Sequence, residues 1–70
     1  MEAKVGELIE SQRKLAGLTQ KDLADLAGVG KTLVFDLEHG KESIRFDMLL
    51  KVLKALNIKF ELKVPSETIS

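Results

Sequence analysis

Two short helical patterns, separated by only three residues, constrain the fold of this chain more than any other feature. Apolar residues recur at helical spacing over residues 20–27 and again over residues 31–38, and Gly28, Val29 and Gly30 form the whole connection. Gly28 readily adopts the left-handed conformation that commonly ends a helix. Helices joined by so short a turn cross at a large angle, so we predict a helix-turn-helix whose second helix projects from the domain.

Two further helical patterns flank this pair. Apolar residues at three- and four-residue spacing predict a helix over residues 2–15 and another over residues 46–57. Thr19 stands three residues before Asp22, the spacing at which two such residues cap the first backbone donors of a helix. The chain is therefore predicted to be all-α, with four short helices in one domain over residues 1–57.

After residue 57 the hydrophobic pattern changes from helical spacing to alternation, which continues until Pro65. Alternation is typical of a half-buried strand, but a single strand cannot satisfy its backbone hydrogen bonds inside a four-helix domain. We therefore predict one C-terminal β-strand over residues 58–64 that pairs with its copy across a homodimer, and a disordered tail over residues 65–70. The side chains predicted at this dimer interface are Ile58, Phe60, Leu62 and Val64.

The composition excludes several kinds of functional site. The chain has no Cys, and His39 is its only histidine, so disulfides and thiolate zinc sites are excluded and no other metal site is expected. The chain also lacks a phosphate-binding loop and an obvious catalytic carboxylate pair, so we expect neither an enzyme nor a cofactor. Its apolar runs are short and no leader sequence opens it, so we expect a cytoplasmic protein that is not in a membrane.

The charge of the chain is balanced overall but unevenly distributed. Eleven basic and eleven acidic residues give a formal net charge of zero, which taken alone argues against binding to nucleic acid. Arg13, Lys14 and Lys21, however, give residues 11–21 three positive charges with no acidic residue among them. A positive face can therefore exist on a neutral molecule.

A resemblance to the helix-turn-helix family of Cro and the phage repressors, the XRE type, lies in the segment LTQKDLADLAGVGKTLVFDLEHGK. It extends over about residues 5–57 and implies a lambda-repressor-like DNA-binding domain. The next segment, KESIRFDMLLKVLKAL followed by a hydrophobic strand, is similar to HipB-like antitoxin regulators. That similarity implies a homodimer in which the C-terminal strands pair.

The resemblance also assigns roles to individual side chains. It implies contacts to DNA base edges by four residues of the third helix: Lys31, Thr32, Leu33 and Asp36. It implies contacts to phosphates by five residues around that helix: Thr19, Gln20, Lys41, Ser43 and Arg45. Arg13 and Glu38 are implied to form a structural ion pair. The chemistry suits these roles, since lysine can donate to guanine and aspartate can accept from the amino group of cytosine.

Some residues on this surface keep more than one interpretation. Asp36 either accepts a hydrogen bond from a base or is a solvated charge, and Leu33 either touches a thymine methyl group or only fills the surface. Phe35 packs on DNA, contacts a protein partner or fills a local groove. Gly30 departs from the family, which often has serine or threonine at this helix cap, where glycine is weaker.

The resemblance implies a homodimeric, sequence-specific transcriptional repressor that binds a palindromic operator in double-stranded DNA. The similarity to HipB-like proteins further implies an antitoxin that binds a HipA-like kinase toxin and represses its own operon. One alternative is a stand-alone phage or host repressor of the same fold. An alternative of another class is a protein-interaction module without DNA binding.

Overall fold

The computed structural model describes residues 3–58, which form four helices. The helices are α1 (Ala3–Leu15), α2 (Gln20–Ala27), α3 (Lys31–Glu38) and α4 (Phe46–Ala55). The prediction of four helices with a helix-turn-helix is confirmed, and α2 and α3 have the predicted bounds. α4 ends two residues before residue 57, because the chain turns there and Asn57 adopts a positive φ of 59°.

The two ends of α2 are formed by local interactions, as predicted. The Thr19 hydroxyl accepts a hydrogen bond from the Asp22 backbone N–H at 3.0 Å, and the Asp22 carboxylate accepts one from the Thr19 backbone N–H at 2.9 Å. The bond from the Thr19 backbone lowers the pKa of Asp22. At the other end Gly28 has a φ of 72°, and its N–H donates to the carbonyl oxygen of Ala24. Sequence-local chemistry therefore defines this helix.

The core is built from one face of each helix. α3 packs against both α1 and α2, and α4 packs against α2. The buried apolar side chains are Ile9, Leu23, Ala24, Val34, Leu37, Val52 and Leu53. The inner face of α3 therefore packs in the core, and its outer face is left exposed to solvent.

α1 and α3 approach each other closely at Gly6. This residue is buried, and a Cβ atom built on it would collide with the carbonyl oxygen of Leu37 and lie 2.7 Å from that of Glu38. Non-bonded carbon and oxygen atoms do not approach so closely in proteins, so no other residue fits without a shift of backbone. The absence of a side chain at Gly6 lets α1 rest directly on the last turn of α3.

A buried ion pair joins the same two helices. Arg13 of α1 donates two hydrogen bonds to the Glu38 carboxylate of α3, from Nε to Oε2 at 2.6 Å and from Nη2 to Oε1 at 3.0 Å. The Arg13 and Glu38 side chains are 10% and 0% exposed. Arg13 also donates from Nη1 to the carbonyl oxygen of Leu18 at 2.8 Å, which ties the α1–α2 loop to the pair.

The environment of Glu38 contains opposing influences on its ionisation. Burial alone would raise the pKa of Glu38. Hydrogen bonds from Arg13 and Gln20, together with the positive charge of Arg13, outweigh that effect and hold the pKa below its ordinary value of about 4.5. The carboxylate is therefore stabilised in its charged form by the fold.

The described chain ends at Ile58, which is half-buried against the core and donates its N–H to the Leu53 carbonyl oxygen at 2.8 Å. The rest of the predicted strand over residues 58–64, with interface residues Phe60, Leu62 and Val64, lies outside the described residues, as does the predicted tail. Residues 3–58 contain no strand. None of the helices in this range combines the length and apolarity needed to cross a membrane.

The glycine contacts predict opposite effects for two substitutions that each add a side chain. Gly6→Ala should lower the free energy of unfolding by about 1 to 3 kcal/mol, because overpacking against backbone outweighs the helix propensity of alanine. Gly30→Ser should raise it by about 0.5 kcal/mol, because position 30 has open space, a φ of −78° and no side-chain cap at present. Urea unfolding measures both, and equal effects of the two changes would contradict this packing.

The depressed pKa of Glu38 predicts a specific loss of stability in acid. The contribution of the charged carboxylate is complete above the ordinary glutamate pKa and is lost as the pH falls below about 4.5 and through the folded value. Glu38→Gln should lower the free energy of unfolding at pH 7 by about 3 kcal/mol, since it leaves Arg13 buried without its counter-ion. The variant should also lack this part of the acid dependence. Glu7→Gln, at an exposed position of α1, is the control and should follow the unmodified protein.

Candidate nucleic-acid interface

The outer face of α3 begins directly after the glycine-containing turn. Val34, Leu37 and Glu38 are buried on the inner face, while Lys31 and Thr32 are exposed. Successive residues of an α-helix are about 100° apart, so Thr32 and Asp36 lie near the middle of the outer face. Lys31 and Phe35 lie on one side of that line and Leu33 on the other. α3 therefore presents its first turn and one flank to solvent.

A groove of about 440 Å³ lies along the Lys31 side of α3. It is lined by Gln20, Lys31, Thr32 and Phe35, and we refer to it as the Gln20 cleft. Gln20 is the first residue of α2, so the capping box at Thr19 and Asp22 determines where α2 begins and where this side chain emerges. The Gln20 amide donates from Nε2 to Oε1 of Glu38 at 3.2 Å. The Gln20 cleft thus joins the starts of α2 and α3.

A second groove of about 500 Å³ lies on the Leu33 side of α3, between the turn at residues 28–30 and the loop that leads into α4. We refer to it as the loop cleft. Leu33 is half-buried and packs against the core at the cleft wall. The polar side chains that line the loop cleft are Asp36, Lys41, Ser43 and Arg45.

The charges around the loop cleft are largely paired. Lys41 Nζ lies 3.3 Å from Asp36 Oδ2, and the Asp36 side chain is only 25% exposed. Asp36 is therefore a partly exposed charge with a basic partner, and both interpretations offered for it stay open. Arg45 Nη2 lies 3.0 Å from Asp47 Oδ2 in a more exposed pair. Lys31, by contrast, has no ion pair with any of residues 3–58, and it is the charged residue among the four that line the Gln20 cleft.

Phe35 belongs to the same surface, and packing on DNA is one of the three interpretations that the sequence left open for it. Phe35 is 48% exposed, and its ring stacks on the His39 ring, with centroids 4.0 Å apart and an interplanar angle of 25°. His39 Nδ1 lies 2.8 Å from the Phe35 carbonyl oxygen, which fixes the imidazole at the end of α3. The four-residue spacing between Lys31 and Phe35 is the sequence signal that identifies this position.

The predicted contact residues are thus divided among three neighbouring segments of one surface. α3 carries Lys31, Thr32, Leu33 and Asp36. The start of α2 carries Thr19, whose hydroxyl and N–H are occupied by the capping box, and Gln20. The loop before α4 carries Lys41, Ser43 and Arg45. Arg13 and Glu38 lie behind this surface, and a hydrogen bond from Gln20 connects Glu38 to it.

Comparison with known proteins identifies the family. Residues 9–63 match the family described as helix-turn-helix, which is most of the chain. The chain is also 37% identical over 65 residues to the uncharacterized HTH-type transcriptional regulator y4mF of Sinorhizobium fredii. That alignment covers 93% of this chain and 86% of the relative. The structure agrees with these matches, since two of its four helices, α2 and α3, are joined by the short glycine-containing turn. The chain therefore belongs to the XRE-type helix-turn-helix family.

Proposed function

We propose that this protein is a sequence-specific transcriptional regulator that binds double-stranded DNA and inserts α3 into the major groove. The observation that carries the proposal is the outer face of α3, where Lys31, Thr32 and Phe35 are exposed at the start of a helix anchored by its opposite face. A helix presented in this way matches the width of the major groove. The HTH-type name of the related y4mF protein supports the same function.

Direct reading of bases is assigned to the outer face of α3. Lys31 can donate to O6 or N7 of guanine, Thr32 can contact several groups, and Asp36 can accept from the amino group of cytosine. Leu33 and Phe35 offer apolar surface to thymine methyl groups. The pairing of Asp36 with Lys41 supports this assignment, because it offsets the repulsion between an acidic side chain and DNA.

Phosphate contacts are assigned to the two segments that flank α3. One flank is the start of α2 and the other is the loop before α4, so the contacts would fall on the two sides of the groove that α3 enters. Thr19 takes part through the helix start that it caps rather than through its hydroxyl. The assigned residues are Thr19, Gln20, Lys41, Ser43 and Arg45.

The regulator is further proposed to act as a homodimer on a palindromic operator. The alternation over residues 58–64 supports pairing of two C-terminal strands, and two-fold symmetry in the protein requires two-fold symmetry in its site. In such a dimer the two copies of α3 lie about 34 Å apart, one turn of DNA.

We favour a repressor that is also the antitoxin of a HipA-like kinase. The alternative is a stand-alone repressor. The similarity of residues 41–56 and the following alternation to HipB-like regulators supports the antitoxin role. A kinase-like reading frame beside the gene, and a stable complex of the two products, would distinguish the antitoxin from the stand-alone repressor.

The salt dependence of binding tests the DNA-binding function. The logarithm of the affinity for a duplex selected from a random pool should fall linearly with the logarithm of salt concentration, because cationic side chains displace counter-ions. Arg45→Ala should weaken binding to all sequences and reduce that slope by about one. Lys54→Ala is the matched control, since Lys54 is exposed on α4 and lines neither cleft. Binding that does not respond to salt, or no binding, would contradict the proposal.

Sedimentation tests the dimer. Phe60→Asp introduces a charge on the proposed buried face of the strand, so it should produce monomers and weaken operator binding. Lys59→Asp introduces the same side chain on the opposite face and should leave a dimer. If Phe60→Asp also sediments as a dimer, the strand is not part of the interface.

A further inference from the structure

Three side chains form a continuous chain of hydrogen bonds from the interior to the Gln20 cleft. Oε1 of Glu38 accepts from Arg13 Nη2 at 3.0 Å and from Gln20 Nε2 at 3.2 Å, while Oε2 accepts from Arg13 Nε at 2.6 Å. The Glu38 side chain is 0% exposed, and Gln20 lines the cleft. One buried carboxylate is therefore held by a cation on its inner side and itself holds an amide on its outer side.

The chemistry of a carboxylate determines which way the Gln20 amide faces. An ionised carboxylate only accepts hydrogen bonds, so the NH₂ group of Gln20 must face Glu38 and the carbonyl oxygen must face away. That oxygen accepts no hydrogen bond from residues 3–58, and no buried side-chain polar atom in this part of the chain lacks a partner. The Gln20 carbonyl oxygen is therefore accessible to solvent. One N–H and this oxygen remain available beside Lys31 and Thr32.

We propose that Glu38 is a positioning residue for DNA recognition, which holds the Gln20 amide in one orientation at the Gln20 cleft. Arg13 keeps Glu38 charged and fixed, Glu38 fixes Gln20, and Gln20 offers its remaining N–H to a DNA phosphate. A glutamine side chain that is already ordered loses less conformational entropy on binding than a free one. This inference rests on the proposed DNA-binding function.

A pair of double variants separates positioning by Glu38 from its role in the fold. Arg13→Met with Glu38→Met removes the ion pair and the acceptor for Gln20, and replacement of both charges by apolar groups avoids a buried unpaired ion. Arg13→Met with Glu38→Gln removes the same charges but keeps a carbonyl oxygen at position 38. Both retain the net charge of the protein, and their folding is checked by circular dichroism and thermal unfolding.

Each background is then combined with Gln20→Met, which keeps the length of the side chain but removes the amide. In the unmodified protein, Gln20→Met should weaken binding to the selected duplex about tenfold, because it removes one hydrogen bond to a charged phosphate. In the Arg13→Met, Glu38→Met background the same change should have an effect of about twofold or less, because the effects of residues in one hydrogen-bond network are not additive. In the Arg13→Met, Glu38→Gln background most of the tenfold effect should remain. A tenfold effect of Gln20→Met in all three backgrounds would overturn the proposal.

A measurement on the free protein tests the orientation without DNA and without mutation. The side-chain amide of Gln20 should show an ordered ¹⁵N heteronuclear NOE and two NH₂ protons with different exchange rates, because one of them is bonded to Glu38. An amide as mobile as those of exposed side chains would overturn the positioning role. If the amide is ordered but the protein binds no DNA, the proposed function fails while the Glu38–Gln20 contact stands. If the double variants do not fold, the order of the Gln20 amide in the unmodified protein is by itself the test of the positioning role.

Discussion

The guanidinium of Arg13 is the point at which the separate segments of this domain meet. From α1 it reaches the Glu38 carboxylate at the end of α3 and the Leu18 carbonyl oxygen in the α1–α2 loop. Transfer of two charges into a protein interior is costly, and only close geometry with further hydrogen bonds offsets that cost. Hydrogen bonds depend on direction, whereas apolar contacts do not. The ion pair therefore fixes the end of α3 relative to the start of α2. The surface assigned to DNA depends on that relation.

A neutral chain can still present a surface suited to a polyanion, because several acidic residues in the described part of the chain lie beside basic partners. Asp36 lies on the exposed helix itself, yet Lys41 from the following loop compensates its charge. Arg45 and Asp47 form a second pair, and Lys21 and Asp25 a third along α2. Within residues 3–58, Lys31 remains without such compensation at the start of α3. The net charge of this chain is therefore a poor guide to DNA binding. The positions of its ion pairs and of the unpaired Lys31 within residues 3–58 are a better one.

Much of the fold could be predicted because its signals are local. The bounds of α2 follow from Thr19, Asp22 and Gly28, which act within a few residues of one another, and the bounds of α3 follow from its apolar spacing. The Arg13–Glu38 contact spans 25 positions in sequence and was expected only through family resemblance. The hydrogen bond between Gln20 and Glu38, and the pairing of Asp36 with Lys41, were not predicted. Both depend on how α3 is rotated in the assembled domain, which residue spacing alone does not specify.

The direct contact at Gly6 makes α1 a rigid support for the helix proposed to enter DNA. The backbone of α1 lies against the last carbonyl groups of α3, with no intervening side chain that could repack. Tilting or sliding of α3 toward α1 would therefore push the backbone of α1 and disturb the core around Ile9. A support of this kind acts as a fixed template, so adjustment between protein and operator would fall on the duplex. DNA steps that bend or change groove width at low energy would then be favoured even at positions that no side chain touches.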